Sequence, residues 1–291
     1  MFLKSGLEQP ARLGLWLLLA PVILWLALLI IIPHIELFLM SLRVEDDWGE
    51  AAWSLDNYRH FFEERLYWLT FVRTAAYSLL VTFLTFLVTF PVAFYITKLA
   101  RPKAGMILMI LLLLPFWVSE LVRVYGWMIL LRESGVINHF LVSLGIIDTP
   151  MEMLYNDAAM LLGLVYTSML FMAVPLISSL EGMDDSLIEA AHDLGASKWV
   201  IFTRIVIPYA APGITSGSIV VFMLTLGNYL TPNLMGGKNS LWFTEQIYNE
   251  FIASFNWNQG AAFGFLLLLL SSFIVWLGLR LSGQSLGKAL S

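Results

Sequence analysis

The segment EGMDDSLIEAAHDLGASKWVIFTRIVIP, residues 181–208, is polar and charged, yet long apolar stretches precede and follow it. Ser186 and Glu189 have the spacing of a capping box, in which Ser186 accepts a hydrogen bond from the Glu189 amide, so a helix is expected to begin there. Gly195 suits a left-handed helix end, and Ser197 can begin a second helix. The segment therefore predicts two short helices with a glycine break, held between two membrane spans.

The first of these helices has an apolar face. Leu187, Ala191 and Leu194 follow each other at helical spacing, and the preceding Asp184 and Asp185 place negative charge at the helix N-terminus, where the dipole favours it. Pro208 is expected to interrupt the chain close to the next span. An amphipathic helix pair tied at both ends to membrane helices indicates a docking element for a partner protein.

Composition limits the class of protein. Apolar residues make up 59% of the 291 residues and charged residues 13%, which indicates a polytopic membrane protein and little else. Cysteine is absent, which excludes disulfides and thiolate metal sites, and the four histidines share no metal-ligand spacing. The net charge of −5 argues against nucleic-acid binding. Residues 236–240 (GGKNS) lack the spacing of a phosphate-binding loop, so ATP hydrolysis is expected on another chain.

Six stretches have the length and hydrophobicity of transmembrane helices. The chain is therefore predicted to be an all-α integral membrane protein, with residues 1–291 forming a single membrane domain. The predicted spans are 13–33, 74–97, 104–131, 158–180, 209–234 and 260–279.

Charge distribution predicts the orientation of these spans. Residues 36–66 form an acid-rich loop that is predicted to be external, whereas residues 181–208 and both termini are predicted to be cytoplasmic, because basic residues collect at those ends. The basic residues are Lys4, Arg12, Lys98, Arg101, Lys103, Lys198, Arg204, Arg280 and Lys288, and the acids of the external loop include Asp46, Asp47 and Glu50.

The segment 181–208 resembles the EAA loop of ABC importer permeases. The pattern is Glu-Ala-Ala, three residues, Gly, nine residues and Ile-x-Leu-Pro, and it matches Glu189-Ala190-Ala191, Gly195 and residues 205–208, with Ile in place of Leu. The resemblance implies the type I (MetI-like) permease fold, and a first loop helix that enters a cleft on a cytoplasmic ATPase subunit. The residues implied to couple the chain to that ATPase are Ser186, Glu189, Ala190, Ala191, Asp193, Leu194 and Gly195.

Other segments resemble permeases of spermidine/putrescine importers, and the similarity covers most of the chain from the second span onward. The long external loop favours the first of the two permeases of such a system. These segments are 121–127 (LVRVYGW), 144–150 (LGIIDTP), 163–166 (GLVY), 234–237 (LMGG) and 256–262 (NWNQGAA).

The resemblance implies a multi-pass protein of the bacterial inner membrane that works in a complex. Its partners would be a second, different permease subunit, two ATPase subunits that carry ATP and magnesium, a periplasmic substrate-binding protein and the lipid bilayer, with no cofactor on this chain. The cargo would be a polyamine, and an opine, an aminophosphonate or another small amine is the alternative within the class. A secondary transporter should show an internal repeat, which is not evident, and a membrane enzyme would need clustered ionisable residues in its spans.

A polyamine needs carboxylates for its ammonium groups and aromatic faces for its methylene chain. Glu120 lies inside the predicted third span, with Trp117 and Tyr125 near it, and it could face the pathway or form a local pair with Arg123. Around Pro232, where a helix break is expected, the fifth span offers polar side chains that either line the pathway or pack against the second permease. These side chains are Asn228, Tyr229, Thr231 and Asn233.

Overall fold

The computed structural model describes residues 8–45 and 51–281, and its regular structure is almost wholly helical. It divides into two compact units: one comprises the chain up to Glu64 together with Ile247–Leu266, and the other comprises Arg65–Gln246 and the chain from Leu267 onward. The prediction of one domain over residues 1–291 stays a prediction. Several charged residues of the orientation argument lie outside the described residues, namely Lys4, Asp46, Asp47, Glu50 and Lys288.

The first unit holds the N-terminal helix, a short hairpin and a polar junction. The Asn57 amide donates to the carbonyls of Ser41 and Arg43, both at 2.9 Å, and the Gln259 amide donates to the Asn57 carbonyl at 2.9 Å. This junction fastens the hairpin to the end of the helix, with β1 and β2 antiparallel. The elements are α1 (Glu8–Leu26), a π-turn (Ala27–Ile31), α2 (Ile32–Ser41), β1 (Arg43–Glu45), β2 (Ala51–Trp53) and α3 (Asp56–Glu63).

The second unit is a helical bundle with short helices between its long ones. Its elements are α4 (Arg65–Phe94), a π-turn (Tyr95–Leu99), α5 (Pro102–Leu113), a 3₁₀ turn (Leu114–Trp117), α6 (Glu120–Leu131), α7 (Val136–Ser143), α8 (Asp157–Glu181), α9 (Ser186–Asp193), α10 (Lys198–Ile201), a π-turn (Phe202–Val206), α11 (Ile207–Leu226) and α12 (Leu230–Met235). Of the remaining elements, the π-turn (Asn249–Ala253) belongs to the first unit, whereas α13 (Phe243–Tyr248) and α14 (Trp257–Leu281) each have residues in both units.

Among the described residues, five helices are long and apolar enough to cross a membrane. A sixth crossing is available if α5 and its 3₁₀ turn are counted with α6 and α7, two pieces that meet at a bend of 97°. Counted in that way, the helices match the predicted all-α, six-span fold. The five unbroken spans are Trp16–Ser41, Arg65–Leu99, Asp157–Glu181, Lys198–Leu226 and Trp257–Arg280.

Several predicted span boundaries are wrong, and three of the differences have a local cause. The helix of the first span continues to Ser41, because nothing after Pro33 breaks it, so its last turns fall within the segment 36–66 that was predicted to be an external loop. The third span is bent rather than straight, because Ser119 caps a new helix by accepting from the Val122 amide at 3.5 Å. The fifth span begins at Lys198, and the chain widens into a π-turn ahead of Pro208 without breaking there.

The break predicted at Pro232 lies earlier, between α11 and α12. Pro232 itself is buried in the first turn of α12, where the amide that proline lacks would have no helical partner in any case. Proline is therefore tolerated in this short helix, and the backbone turns at residues 227–229.

Helix α8 is the centre of the second unit, with α4 and α11 packed against it. On α11, a Cβ at Gly213 would lie 2.5 Å from the Pro175 carbonyl oxygen and one at Gly217 would lie 2.8 Å from the Met172 sulfur. Small residues therefore allow α11 to approach α8 closely, as at many membrane helix contacts. Helix α4 presents a row of buried small polar residues: Thr70, Thr74, Ser78, Thr82, Thr85 and Thr89.

A polar cluster at the start of α8 was not anticipated. Asp157 accepts hydrogen bonds from Arg73 at 2.6 Å and Tyr77 at 2.8 Å, both on α4, and from the hydroxyl of Ser240. These contacts join α4, α8 and the segment after α12 at one end of the bundle. The partners lie 80 or more positions from Asp157 in the chain, so no local pattern reveals them.

Candidate functional site

The segment that resembles the EAA loop folds as the two short helices predicted, α9 and α10. The predicted capping box is wrong: Asp185 is the N-cap residue of α9, and no side chain caps that helix. Asp184 instead accepts from the Ser186 backbone amide at 2.9 Å, and this hydrogen bond holds the pKa of the Asp184 carboxyl below its usual range. The chain enters α9 through an aspartate turn one residue earlier than the capping box would place it.

The end of α9 has the geometry expected for a glycine. Gly195 has a φ of +76°, its amide donates to His192 at 2.9 Å, and the Ala196 amide donates to Ala191 at 3.0 Å. This pair of bonds is a Schellman motif, which satisfies the last carbonyls of the helix. Ser197 then caps α10 as predicted, since its hydroxyl accepts from the Val200 amide at 3.4 Å.

Two long-range contacts fasten the turn before α9 to the ends of two spans. Lys98, whose side chain is only 6% exposed, donates to the Met183 carbonyl at 2.5 Å and to Asp185 at 2.7 Å. The Tyr209 hydroxyl donates to the Gly182 carbonyl at 2.6 Å. Because Lys98 lies in the π-turn that follows α4 and Tyr209 lies at the start of α11, the turn before α9 is tied to both spans. Sequence analysis used Lys98 only as an orientation signal and missed this role.

One side of helix α9 is partly buried, and its other side is exposed. Ile188 and Ala191 pack against the apolar core around Leu180 and Met183. Leu187 is 43% exposed and Leu194 is 88% exposed. The three-residue face predicted from spacing is thus divided, with Ala191 turned inward and the two leucines outward. The outward side of α9 therefore carries an exposed apolar stripe, with Leu187, Ala190 and Leu194, among polar residues.

A second candidate site forms where two helix breaks meet. Glu120 is the first residue of α6, directly after the bend, and Asn228 lies in the break between α11 and α12. The Asn228 amide donates to Glu120 Oε1 at 2.6 Å, and the Thr231 hydroxyl donates to the same oxygen at 3.1 Å. The Asn228 side-chain oxygen also accepts a hydrogen bond from the Thr231 backbone amide at 2.9 Å, and the Asn228 backbone carbonyl accepts one from the Thr244 hydroxyl at 2.8 Å. One asparagine therefore holds the broken backbone and the carboxylate together.

A cavity of about 530 Å³ opens beside Glu120, and Arg123 also lines it. The local Glu120–Arg123 pair weighed from the sequence is not formed within the described chain, where no ion pair joins the two residues. Instead, Arg123 Nε and Nη1 are buried without a hydrogen-bond acceptor. The cavity lining comprises Phe116, Val118, Ser119, Glu120, Arg123, Thr167, Ser168, Phe171, Leu224, Gly227, Asn228, Tyr229 and Leu230.

The structure brings together three of the six predicted pathway residues: Glu120, Asn228 and Tyr229 line this cavity. Trp117, which is 89% exposed, and the exposed Tyr125 and Asn233 do not line it, and their roles stay predictions. Thr231, one of the polar residues noted around Pro232, does not line the cavity but donates to Glu120. Within the described ranges, no group of His, Asp and Glu residues is arranged to hold a metal ion.

The sequence matches a family model and curated proteins that all belong to transport systems. Residues 16–285 match the family model described as binding-protein-dependent transport system inner membrane component. The chain is 36% identical over 262 residues to the spermidine/putrescine transport system permease protein PotB of Salmonella typhimurium (strain SL1344), covering 88% of this chain and 91% of that protein. It is also 36% identical over 240 residues to PotB of Escherichia coli (strain K12), covering 82% of this chain and 86% of that one.

A solved structure supports the fold. A chain of the bacterial alginate ABC transporter, crystallised with its alginate-bound periplasmic protein, aligns over 94% of this chain and 95% of its own length, with a TM-score of 0.75 and 16% identity. At that identity the likeness shows the fold alone, and the fold is that of an ABC transporter membrane subunit. With the family model matched over residues 16–285, this chain belongs to the binding-protein-dependent transport system inner membrane components, the permeases of ABC transporters.

Proposed function

We propose that this chain is the permease subunit of an ATP-driven importer of polyamines such as spermidine and putrescine. The observation that carries the proposal is the 36% identity, over 88% of the chain, to a permease named for spermidine and putrescine transport. The cavity with Glu120 in its wall is chemically compatible, because a carboxylate in an aromatic-lined space suits an alkylammonium ion. An opine or aminophosphonate importer is not favoured, since relatives that are 36% identical to this chain carry the polyamine name.

The proposed transport step is alternating access driven from the outward side of α9. A separate ATPase subunit grips the exposed surface around Leu187, Ala190 and Leu194, and closure of two such subunits around ATP and magnesium moves α9. The contacts of Lys98 and Tyr209 pass this motion to two spans. No catalytic residue is assigned to this chain, and ATP hydrolysis belongs to the partner.

The assembly and orientation follow from the same proposal. A second, different permease completes the pore, and a periplasmic binding protein delivers the substrate. The basic residues Lys98, Arg101 and Lys103 support a cytoplasmic location for α9 and for both termini. The chain would then cross the bacterial inner membrane six times.

Reconstitution tests the substrate. The permease pair, the ATPase and the binding protein are placed in proteoliposomes, and ATP-dependent uptake of labelled spermidine is measured with unlabelled putrescine, an opine or an aminophosphonate as competitor. Uptake that only polyamines inhibit supports the proposal. Inhibition by an opine or aminophosphonate with no effect of putrescine would refute it.

Copurification tests the coupling surface. Ala190→Arg puts a bulky charge on the outward side of α9 and is expected to reduce recovery of the ATPase subunit with the permease about tenfold, since a buried unpaired charge is costly at an interface. Ala253→Arg, at another exposed alanine outside this segment, is the matched control and should leave recovery unchanged. Equal recovery with both variants would place the ATPase elsewhere.

A further inference from the structure

Two buried nitrogens of the Arg123 guanidinium lack an acceptor, one helical turn from Glu120. Arg123 Nε and Nη1 are shielded from solvent and make no hydrogen bond, although Arg123 and Glu120 line the same cavity. Buried donors are nearly always satisfied in native proteins, so an orphaned pair needs an explanation. Arginine side chains only donate hydrogen bonds, so each of these two nitrogens needs an acceptor to be satisfied.

The natural acceptor is already nearby. Both hydrogen bonds that Glu120 receives go to Oε1 and come from neutral donors, Asn228 and Thr231. Residues three positions apart on a helix lie on the same face, so the Glu120 carboxylate can reach Arg123 by a change of rotamer. The carboxylate therefore has two sets of partners, one occupied here and one empty.

We propose that Glu120 exchanges between these partners during transport and that the exchange switches the affinity for the cationic solute. This inference rests on the proposed polyamine function. With neutral donors, the carboxylate keeps its full negative charge and attracts an ammonium group. Paired with Arg123, it is electrically compensated, and the cation is released. Arg123 is thus a positioning residue that sets the charge offered to the substrate.

The structure also supplies a trigger for the exchange. Asn228 lies directly after α11, at the far end of the continuous helix Lys198–Leu226. The same helix begins three residues after Gly195 and is anchored by Tyr209 to the turn before α9. Displacement of α9 therefore moves the break that holds Asn228 against Glu120, and withdrawal of Asn228 frees the carboxylate for Arg123. Glu120 thus has two alternative states, and the equilibrium between them depends on the position of α9 at one end of the helix and on the bound solute near Asn228 at the other.

The exchange predicts opposite effects for the two partners. Arg123→Gln removes the compensating charge, so the KM for spermidine should fall about tenfold, as expected for a unit charge close by in a partly buried site, while kcat falls because release is slow. Asn228→Leu removes the other partner and leaves Glu120 on Arg123, so the KM should rise about tenfold. Arg123→Lys keeps the charge and should stay near the wild-type values. Arg280→Gln, which removes a positive charge at the end of α14, should change neither constant.

The outcomes separate this inference from the function on which it rests. Wild-type transporter that takes up no polyamine overturns both. Polyamine uptake with KM changes of the same sign in Arg123→Gln and Asn228→Leu, or with no change in Arg123→Gln, overturns the exchange alone. If Arg123→Gln fails to assemble, other variants carry the test. Asn228→Leu and Thr231→Val should each raise the KM, and in the Asn228→Leu background this rise should persist with Arg123→Lys and disappear with Arg123→Met. A rise that persists with Arg123→Met would overturn the exchange.

Discussion

Gly195 ends α9 in the left-handed region, and open space surrounds its Cα. A side chain there meets no neighbour, so the effect of a substitution is confined to the backbone. An L-residue in that conformation costs about 1–2 kcal/mol. We expect Gly195→Ala to loosen the end of α9 and to lower the amount of substrate transported per ATP hydrolysed, measured by parallel uptake and phosphate-release assays.

Gly145 provides a matched control for this prediction. It ends α7 with a φ of +65° and the same pair of backbone hydrogen bonds, and nothing lies near its Cα. Gly145→Ala carries the same local cost but lies outside the segment 181–208. It should therefore preserve the ratio of transport to hydrolysis. A similar loss in both variants would mean that Gly195 matters for stability rather than for coupling.

Lys98 carries a second prediction at this scale. Its buried side chain donates to a backbone carbonyl and to an exposed carboxylate, and the carbonyl contact is the more protected of the two. Lys98→Met should therefore separate ATP hydrolysis from uptake, because α9 loses its attachment to the end of the second span. Asp185→Asn should have a small effect, since exposed ion pairs contribute little. The reverse order of severity would assign the anchoring to the ion pair.

At the residue scale, the sequence predicts local features and misses distant partners. Gly195 and Ser197 were identified because helix ends have chemical signatures within a few residues. Glu120 was identified because a carboxylate in an apolar stretch is unusual. Its partner Asn228 lies 108 positions away, and nothing in one sequence joins the two.

Helix α11 carries a prediction about how closely two spans approach. A Cβ at Gly213 would lie 2.5 Å from a backbone oxygen of α8, whereas one at Gly217 meets a flexible methionine sulfur at 2.8 Å. The backbone oxygen of Pro175 can move only if helix α8 moves with it, whereas the side chain of Met172 can change its conformation alone. We expect Gly213→Ala to destabilise the protein in detergent by about 1–3 kcal/mol, and Gly217→Ala by less.

Gly278 is the control for both substitutions. It lies in the interior of α14 with no atom near its Cα, so Gly278→Ala should leave thermal stability unchanged or raise it slightly through helix propensity. Thermal unfolding followed by circular dichroism ranks the three variants. Equal effects of Gly213→Ala and Gly278→Ala would show that helix contact does not explain the glycine on α11.

At the element scale, apolar length predicted the spans well but not their ends or bends. The stretch 104–131 is apolar enough to look continuous, and the bend at Ser119 depends on a cap that competes with the preceding helix. Residues 198–206, which contain Lys198 and Arg204, were predicted to form a short helix outside the membrane, whereas they form the first turns of the fifth span. Polar residues at a span end lie in the interfacial region, so hydropathy alone places such ends too far inward.

At the scale of the whole molecule, the unbroken helix Lys198–Leu226 joins the two candidate sites. One of its ends follows the turn at Gly195, and the other precedes Asn228 in the wall of the cavity. A helix of 29 residues is about 44 Å long at a rise of about 1.5 Å per residue. This length places the coupling segment and the Asn228 break near opposite faces of a bilayer, a relationship that no motif in either segment contains.

The orientation implied by this arrangement can be tested because the natural chain contains no cysteine. Single cysteines at two exposed positions, Glu181→Cys before α9 and Asn239→Cys after α12, leave the background otherwise native. A membrane-impermeant maleimide is added to cells whose outer membrane has been permeabilised and whose inner membrane is intact. It should label Asn239→Cys at once. Glu181→Cys should be labelled only after the inner membrane is opened, because the positive-inside rule places it with Lys98 in the cytoplasm. Labelling of Glu181→Cys in intact cells would reverse the topology and remove α9 from the reach of any cytoplasmic ATPase.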